Sequence, residues 1–453
     1  MAHWFFEHAL LPGGWARNVD VAVNGGKVEA VVAGAAPRPG SIRAGIGMPG
    51  LPNLHSHTFQ RGMAGLAEIR GAGDDSFWTW REVMYRFLDR MTPEDVEAIA
   101  AFAFKEMLEG GFTAVAEFHY VHHDEAGRPY ADIAELGGRI VAGAAATGIG
   151  LTLLPVLYCH SNFGDAPPVH GQRRFVNRLD AFARLLDGAR KAASALPGTI
   201  VGVAPHSLRA VGPAELAAVT AMVPEGPIHI HVAEQMREVE DCVAATGQRP
   251  VAWLLDNAPV DARWCLIHAT HIDDGEVAGI AASGAVAGLC PLTEASLGDG
   301  IFPAEAFVAA GGRLGVGSDS NIEITAPGEL KQLEYGQRLS LRRRNVLAGA
   351  AGRSTGATLY DAALRGGAQA LGQPVGGIAP GHRADFVVLD AGHPALAGMS
   401  EAHWLDAYLF AGGKDLVDRV IVGGSPLVEG GRHRDDAAIT ARYIATVRRL
   451  AAA

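Results

Sequence analysis

From Met48 onward the chain repeats one pattern. A short apolar run turns polar at its last positions, and a longer stretch follows with apolar residues three and four apart. Eight such runs occur: Met48 to His55, Ala114 to Phe118, Gly150 to Leu157, Ile200 to Ala204, Pro227 to Ala233, Cys265 to Ala269, Ala285 to Cys290 and Leu314 to Ser318. Continuous apolarity over a strand length is the mark of a strand buried on both faces of a parallel sheet. Stretches such as Pro93 to Glu109, Ala181 to Leu196 and Pro213 to Met222 have helical spacing and supply the crossovers that parallel strands require. The pattern predicts an α/β fold: a (β/α)8 TIM-like barrel over residues 48–374.

The two chain ends read differently. Between Trp4 and Ile46, Val19-Asp20-Val21-Ala22-Val23, then Asn24-Gly25-Gly26, then Val28 to Val32 alternate in the manner of a hairpin. Similar pieces return at Ala384 to Asp390 and Asp418 to Gly424. Neither end alone could bury a sheet face, so residues 1–47 and 375–433 are expected to pair into one small β-sandwich. Residues 434–453 are expected to form a C-terminal helix.

Composition narrows the function. With 453 residues, 49% hydrophobic and 19% charged, the chain can bury a large core and one smaller one. A formal net charge of -11 with only 38 basic residues argues against a nucleic-acid surface. Any anionic ligand must be held by a few locally placed arginines. Cys159, Cys242, Cys265 and Cys290 are widely spaced and read as reduced thiols. No segment runs for a bilayer's width without Gly, Pro or charge, and the opening residues lack a signal-peptide pattern. The expectation is a soluble, cytoplasmic protein with no membrane partner.

Chemistry in such barrels sits at the C-terminal ends of the strands. The first run ends in His55-Ser56-His57, whose alternate side chains share a face. The fifth ends in His229-Ile230-His231-Val232-Ala233-Glu234, the sixth in His268-Ala269-Thr270-His271 and the eighth in Gly317-Ser318-Asp319-Ser320. Parity cannot choose between His229 and His231; His231 is preferred because it lies nearer the mouth and has Glu234 three residues on. His55, His57, His231 and Asp319 then offer three imidazoles and a carboxylate, which suits one Zn²⁺, or alternatively Fe²⁺, with a position left for water. Glu234 is placed to shuttle protons, Asp319 to accept a hydrogen bond from the attacking oxygen as well as to ligate, and His268 to polarise or steer that oxygen. His229 is expected deeper in the barrel, and His271 at its rim.

Several longer stretches are more specific: Leu54-His55-Ser56-His57-Thr58-Phe59-Gln60-Arg61-Gly62-Met63-Ala64-Gly65, Ser76-Phe77-Trp78-Thr79-Trp80-Arg81-Glu82, Ala116-Glu117-Phe118-His119-Tyr120-Val121-His122-His123, His206-Ser207-Leu208-Arg209-Ala210-Val211 and Leu292-Thr293-Glu294-Ala295-Ser296-Leu297-Gly298-Asp299-Gly300. In these stretches, and over nearly its whole length, the chain resembles the amidohydrolase superfamily in its mononuclear deaminase branch, and within it the iminohydrolases of bacterial histidine degradation that act on N-formimidoyl-L-glutamate. The resemblance implies metal-dependent hydrolysis of that substrate to N-formyl-L-glutamate and ammonia, and a homodimer. It also implies that Gln60, Arg81, Tyr120, His206 and Arg209 hold the substrate. The substrate's two carboxylates make physical sense of the arginines, each of which can grip one with a bidentate fork. Arg81 is expected on a sheltered loop after the first strand. Tyr120 has the wrong strand parity and reaches the site only if its strand ends before it.

Binuclear members bridge two metals with a lysine from the fourth strand, yet Lys27, Lys105, Lys191, Lys331 and Lys414 are the only lysines and none ends a barrel strand. One metal is therefore expected. His119, His122 and His123 read as structural groups, the Arg342-Arg343-Arg344 run as a solvated helix end, and Glu294, Ser296 and Asp299 are unassigned. A deaminase of purines, pyrimidines or other heterocycles is the alternative; it would share the metal ligands without needing two pocket arginines. A non-catalytic barrel would show an eroded ligand set, and this set is intact.

Overall fold

The computed structural model describes residues 1–452. The barrel strands are Leu51–Ser56, Phe112–His119, Gly150–Leu157, Ile200–Val201 continued by Ala204–Pro205, Ile228–Val232, Trp264–His268, Val286–Leu289 and Arg313–Val316. Neighbours pair in parallel in this order. Every residue of the second and third strands is buried, as double-sided coverage demands.

Two seams complete the ring. Bridges Val203↔Ile228 and Ser207↔His231 join the fourth strand to the fifth, and Ser56↔Asp319 joins the eighth to the first. At the second seam the His57 amide donates to the Asp319 carbonyl at 2.9 Å, and the Asp319 amide donates to the His55 carbonyl at 3.0 Å. The fourth strand is in two pieces because Val203, between them, turns its hydrogen bonds toward the fifth strand's side: its amide donates to Pro227 and its carbonyl accepts from His229, each at 3.1 Å.

The helix Pro93–Glu109 has the expected bounds, for local reasons. Thr92 caps it, the Asp95 carboxylate accepts from the Thr92 amide at 2.8 Å, and Pro93 occupies the first turn, where no N–H is needed. The helix expected at Ala181 to Leu196 runs Leu179–Ala193, and the one expected at Pro213 to Met222 runs Pro213–Ala221. Arg81 corrects an expectation. It lies not on a loop but within the helix Phe77–Leu88, whose start is set by a Ser76–Thr79 capping box that the aromatic spacing obscures.

The two chain ends do pair. Their strands form one eight-stranded sheet in the order Arg432–His433, Ser425–Glu429, Val417–Val422, Phe386–Leu389, Ile42–Pro49, Ala2–Leu11, Gly14–Asn24, Lys27–Val32. The hairpin turn Gly25-Gly26 has positive φ at both positions, as a tight two-residue turn requires. The sheet rolls over its own core of Trp4, Phe6, Val19, Val21, Phe386 and Ile421. Its edge is tied back where the Val28 amide donates to the His382 carbonyl at 2.9 Å. Met48 and Pro49, expected at the head of the first barrel strand, pair instead with Val387 and Phe386 in this sheet, so the barrel strand begins at Leu51. The last helix, Asp436–Ala452, returns to the barrel, where Tyr443 stacks on Phe102 at 3.8 Å and Arg442 pairs with Glu97 at 2.6 Å. Among the described residues no helix is long and apolar enough to cross a membrane.

The helix Thr355–Leu371 lies so close to the eighth strand that a Cβ on Gly366 would stand 1.9 Å from the Leu314 carbonyl oxygen. Gly366→Ala should therefore force the helix off the barrel wall and destabilise the protein by about 3 kcal/mol. Denaturant unfolding would measure it, and an unchanged midpoint would refute this account of the packing.

Candidate functional site

Four buried side chains meet at the C-terminal mouth of the barrel. His55 is the last but one residue of the first strand and His57 follows that strand, His231 comes from the fifth, and Asp319 lies just past the eighth. The three Nε2 atoms stand 3.1, 3.3 and 3.1 Å from one another, and Asp319 Oδ1 is 3.4 Å from His55 Nε2 and 3.3 Å from His57 Nε2. All four ligating atoms lie within 4.8 Å of each other. Three imidazole nitrogens and a carboxylate oxygen this close together are a donor set that would suit one divalent cation such as Zn²⁺.

The tautomers suit this. His57 Nδ1–H donates to the Phe118 carbonyl at 2.9 Å and His231 Nδ1–H to the His206 carbonyl at 3.1 Å, leaving their Nε2 lone pairs turned inward. Burial holds His55 down at about 3 and also lowers His57 and His231, so the imidazoles are neutral. Burial works against the Asp319 carboxylate, but the hydrogen bond with His55 and the charge of His268 outweigh it and keep the group below its ordinary value. Neutral nitrogens and an ionised carboxylate are what a divalent cation binds.

The Asp319 turn is held by a network the sequence did not single out. The Asn53 amide donates to Ser318 Oγ at 2.7 Å, Ser318 Oγ donates to Asn321 Oδ1 at 2.6 Å, and Asn321 Nδ2 donates to the Asp319 carbonyl at 2.9 Å. Asp319 and Asn321 have positive φ, as do Ala233, His268 and Ala269, a cluster of left-handed, non-glycine backbone at the mouth. The only hint was polar residues closing otherwise apolar runs.

His268 stands among carboxylates. Its Nε2 is 3.8 Å from Glu234 Oε1 and 3.8 Å from Asp319 Oδ2, while Nδ1 donates to Glu294 Oε1 at 3.2 Å. Burial disfavours its charge, but Glu234, Glu294 and Asp319 outweigh that and raise it well above the usual histidine value. Burial raises Glu234 as well, up to about 7. Glu294 also accepts from the Cys290 amide at 2.8 Å, which fixes it behind His268.

A cavity opens from this point, lined by Gln60, Arg81, Tyr120, His206 and Arg209 together with Glu234, His268 and Asp319. Arg81 lies 4.6 Å from the Trp78 ring centre and Arg209 5.8 Å, so one indole stands against both guanidinium groups. Neither Nε has a hydrogen-bond partner among the described residues. The carboxylate nearest Arg209, Glu238, is 4.0 Å away, and its other oxygen accepts from the Ala233 amide at 3.2 Å. Tyr120 falls one residue past its strand, and its hydroxyl accepts from Gln60 Nε2 at 2.8 Å. His206 lies 3.0 Å from Ser207 Oγ, and burial, then the field of Arg209, holds it well below the usual histidine value.

Tyr85, Tyr158 and Phe175 complete the wall and were not foreseen, although Tyr158 directly follows the third strand. His229 lies deep and donates to the Ala370 carbonyl at 2.8 Å. His122 and His123 donate to the carbonyls of Val156 and Val176, and His271 is partly exposed. The Arg342 to Arg344 run is exposed, Ser296 is exposed, and Asp299 is buried and accepts from Gln235.

Comparison with known proteins agrees with this picture. Residues 46–427 match the family described as amidohydrolase family, and residues 1–45 match that described as formimidoylglutamate deiminase HutF, N-terminal domain. The chain is 55% identical to a formimidoylglutamate deiminase of Pseudomonas aeruginosa over 96% of either chain. It superposes with a TM-score of 0.96 on the crystal structure of an amidohydrolase from Brucella melitensis, at 51% identity and 100% coverage of each chain. It also superposes at 0.81 and 24% identity on an adenosine deaminase from Xanthomonas campestris with bound zinc, covering 100% of this chain and 99% of that one; the latter likeness speaks to fold alone.

If the four convergent groups hold one cation, His57→Ala and Asp319→Asn should each reduce bound metal from one equivalent per chain toward none, read by elemental analysis. Gly317→Ala should do so indirectly, because its Cβ would stand 2.7 Å from the His55 backbone nitrogen and oxygen. Full metal content in all three variants would refute the assignment.

Proposed function

The chain belongs to the amidohydrolase family, and on that premise we propose that it is a metal-dependent formimidoylglutamate deiminase, hydrolysing N-formimidoyl-L-glutamate to N-formyl-L-glutamate and ammonia. The observation that carries the substrate is the pair of arginines. Arg81 and Arg209 line the same cavity as the candidate cation site, and their Nε atoms have no hydrogen-bond partner among the described residues. A guanidinium shielded from water is costly unless a ligand completes its hydrogen bonds, and a dicarboxylate does so twice.

His55, His57, His231 and Asp319 would hold the ion, and three imidazoles with one carboxylate favour Zn²⁺ over Fe²⁺ in our reading. Bound there, a divalent cation acts as a Lewis acid and brings the pKa of a water to roughly 7. The side chains supply the rest. Arg81 and Arg209 fix the two carboxylates, with Gln60, Tyr120 and His206 as further polar contacts, so that the formimino carbon faces Glu234 and His268. Glu234, poised near neutrality, takes the proton of the attacking water as the new C–O bond forms. It gives that proton to the imino nitrogen as the C=N bond becomes single; the second proton, from the newly formed hydroxyl, passes to the same nitrogen as the carbonyl forms, the C–N bond breaks, and ammonia leaves. His268, held protonated among three carboxylates, donates toward the oxygen on which negative charge gathers, and Glu294 keeps its ring in place. Asp319 receives a hydrogen bond from the attacking oxygen in addition to ligating. The family resemblance further supports reading the protein as a homodimer, which light scattering on the purified chain would test.

Ammonia release from N-formimidoyl-L-glutamate should be sustained and should stop on chelation, while guanine, cytosine and adenosine should not be turned over. The reverse selectivity would sink the proposal. Arg209→Ala should raise KM by about a hundredfold or more, the effect of leaving one partner of a buried charge pair without its mate, with little loss of bound metal. Glu234→Gln should lower kcat by about 10² to 10⁴ with KM nearly unchanged, since the substitution removes a proton carrier and leaves the carboxylate grips in place.

A further inference from the structure

The connection after the third barrel strand carries a second group of metal-ligating side chains, outside the catalytic cavity. Cys159 and His160 come from this connection, and Glu215 from the first turn of the helix Pro213–Ala221. One ligand atom from each lies within 4.8 Å of the others, and all three residues are half-buried. His160 Nε2 is 3.0 Å from each Glu215 carboxylate oxygen and 3.5 Å from Asp165 Oδ1. Asp165 is exposed, so the group opens to solvent on that side.

The backbone presenting these groups is fixed. The Cys159 and His160 amides both donate to the Ala210 carbonyl, at 2.8 and 3.0 Å. Glu215 keeps its own place through an oxygen that accepts from the Gly212 amide at 2.5 Å, which leaves the other oxygen for a ligand. Beside the group is a cavity of about 260 Å³, lined by His160, Asn162, Asp165, Arg209 and Trp253 among others.

We propose that Cys159, His160, Glu215 and Asp165 form a second divalent-cation site of the mixed sulfur, nitrogen and oxygen kind that takes Zn²⁺. The surroundings favour a cation. Burial, then the carboxylates of Glu215 and Asp165, pushes the Cys159 thiol up to about 12, so it keeps its proton until a positive charge arrives. Binding displaces that one proton to solvent as the sulfur ligates, and the His160 ring gives up its hydrogen bond to Glu215 to offer a lone pair. No oxidation is involved. None of its four side chains lines the catalytic cavity, and Arg209 alone of the substrate-facing groups borders both.

The test uses the full-length protein with its resident metal and titrates it with Co²⁺, whose bond to a thiolate gives a near-ultraviolet charge-transfer absorption. One further equivalent should bind with that absorption and be displaced by Zn²⁺. Cys159→Ser should abolish the absorption, and His160→Ala should weaken binding by about tenfold or more. Both variants should deaminate at the wild-type rate before titration, which shows that they fold. Should Cys159→Ser fold poorly, Asp165→Asn, at an exposed position, carries the test through the same loss of affinity. Uptake of no further equivalent, or an absorption that survives in Cys159→Ser, would overturn the proposal.

Discussion

Closure of the eight-stranded ring is the constraint from which the site follows. The seam between the eighth and first strands is hydrogen-bonded at His55, His57 and Asp319, and the seam between the fourth and fifth passes through His231, whose amide donates to the His206 carbonyl. A ladder fixes backbone atoms closely, so side chains one bond away inherit that registration. Three imidazoles and a carboxylate, separated by as many as 264 positions in the chain, thus converge because the ring shuts where they stand. The Asn53, Ser318 and Asn321 network pins the turn that brings the carboxylate in, and the left-handed backbone at Asp319 is tolerated because that network over-determines it.

The same closure excludes water, and burial is the largest influence on nearly every ionisable group at the mouth. It keeps the imidazoles neutral and raises Glu234 to about 7. His268 escapes that trend only because three carboxylates surround it. Two groups 3.8 Å apart are thereby both raised, the carboxylate by burial and the imidazole by the carboxylates around it. A carboxylate brought near neutrality beside an imidazole that keeps its proton can divide the work of accepting and donating protons.

The chamber above is built from connections rather than strands. Arg81 arrives on the helix after the first strand and Arg209 on the connection after the fourth, and Trp78 gives both an aromatic face. In a chain carrying a net charge of -11, two guanidinium groups on one wall form a local exception. Glu238 offers partial compensation at 4.0 Å, too far for a hydrogen bond. The forks stay available to a ligand, and a doubly charged anion satisfies them best.

Much of this was legible in the sequence, because local patterns encode burial. Apolar runs marked the eight strands, helical spacing marked the crossover from Pro93 to Glu109, and polar residues closing apolar runs marked the mouth, with His55, His57, Glu234, His268 and Asp319 among them. Distances between remote residues are not a local property, and they were decided by the tertiary structure. It selected His231 over His229 of equal parity, moved Met48 and Pro49 into the terminal sheet, and ended the second strand in time for Tyr120 to turn inward. It set Glu294 behind His268 and gave Asn53 and Asn321 their purpose. Periodicity tells each residue whether it faces water; only the closed ring tells it which residue it faces.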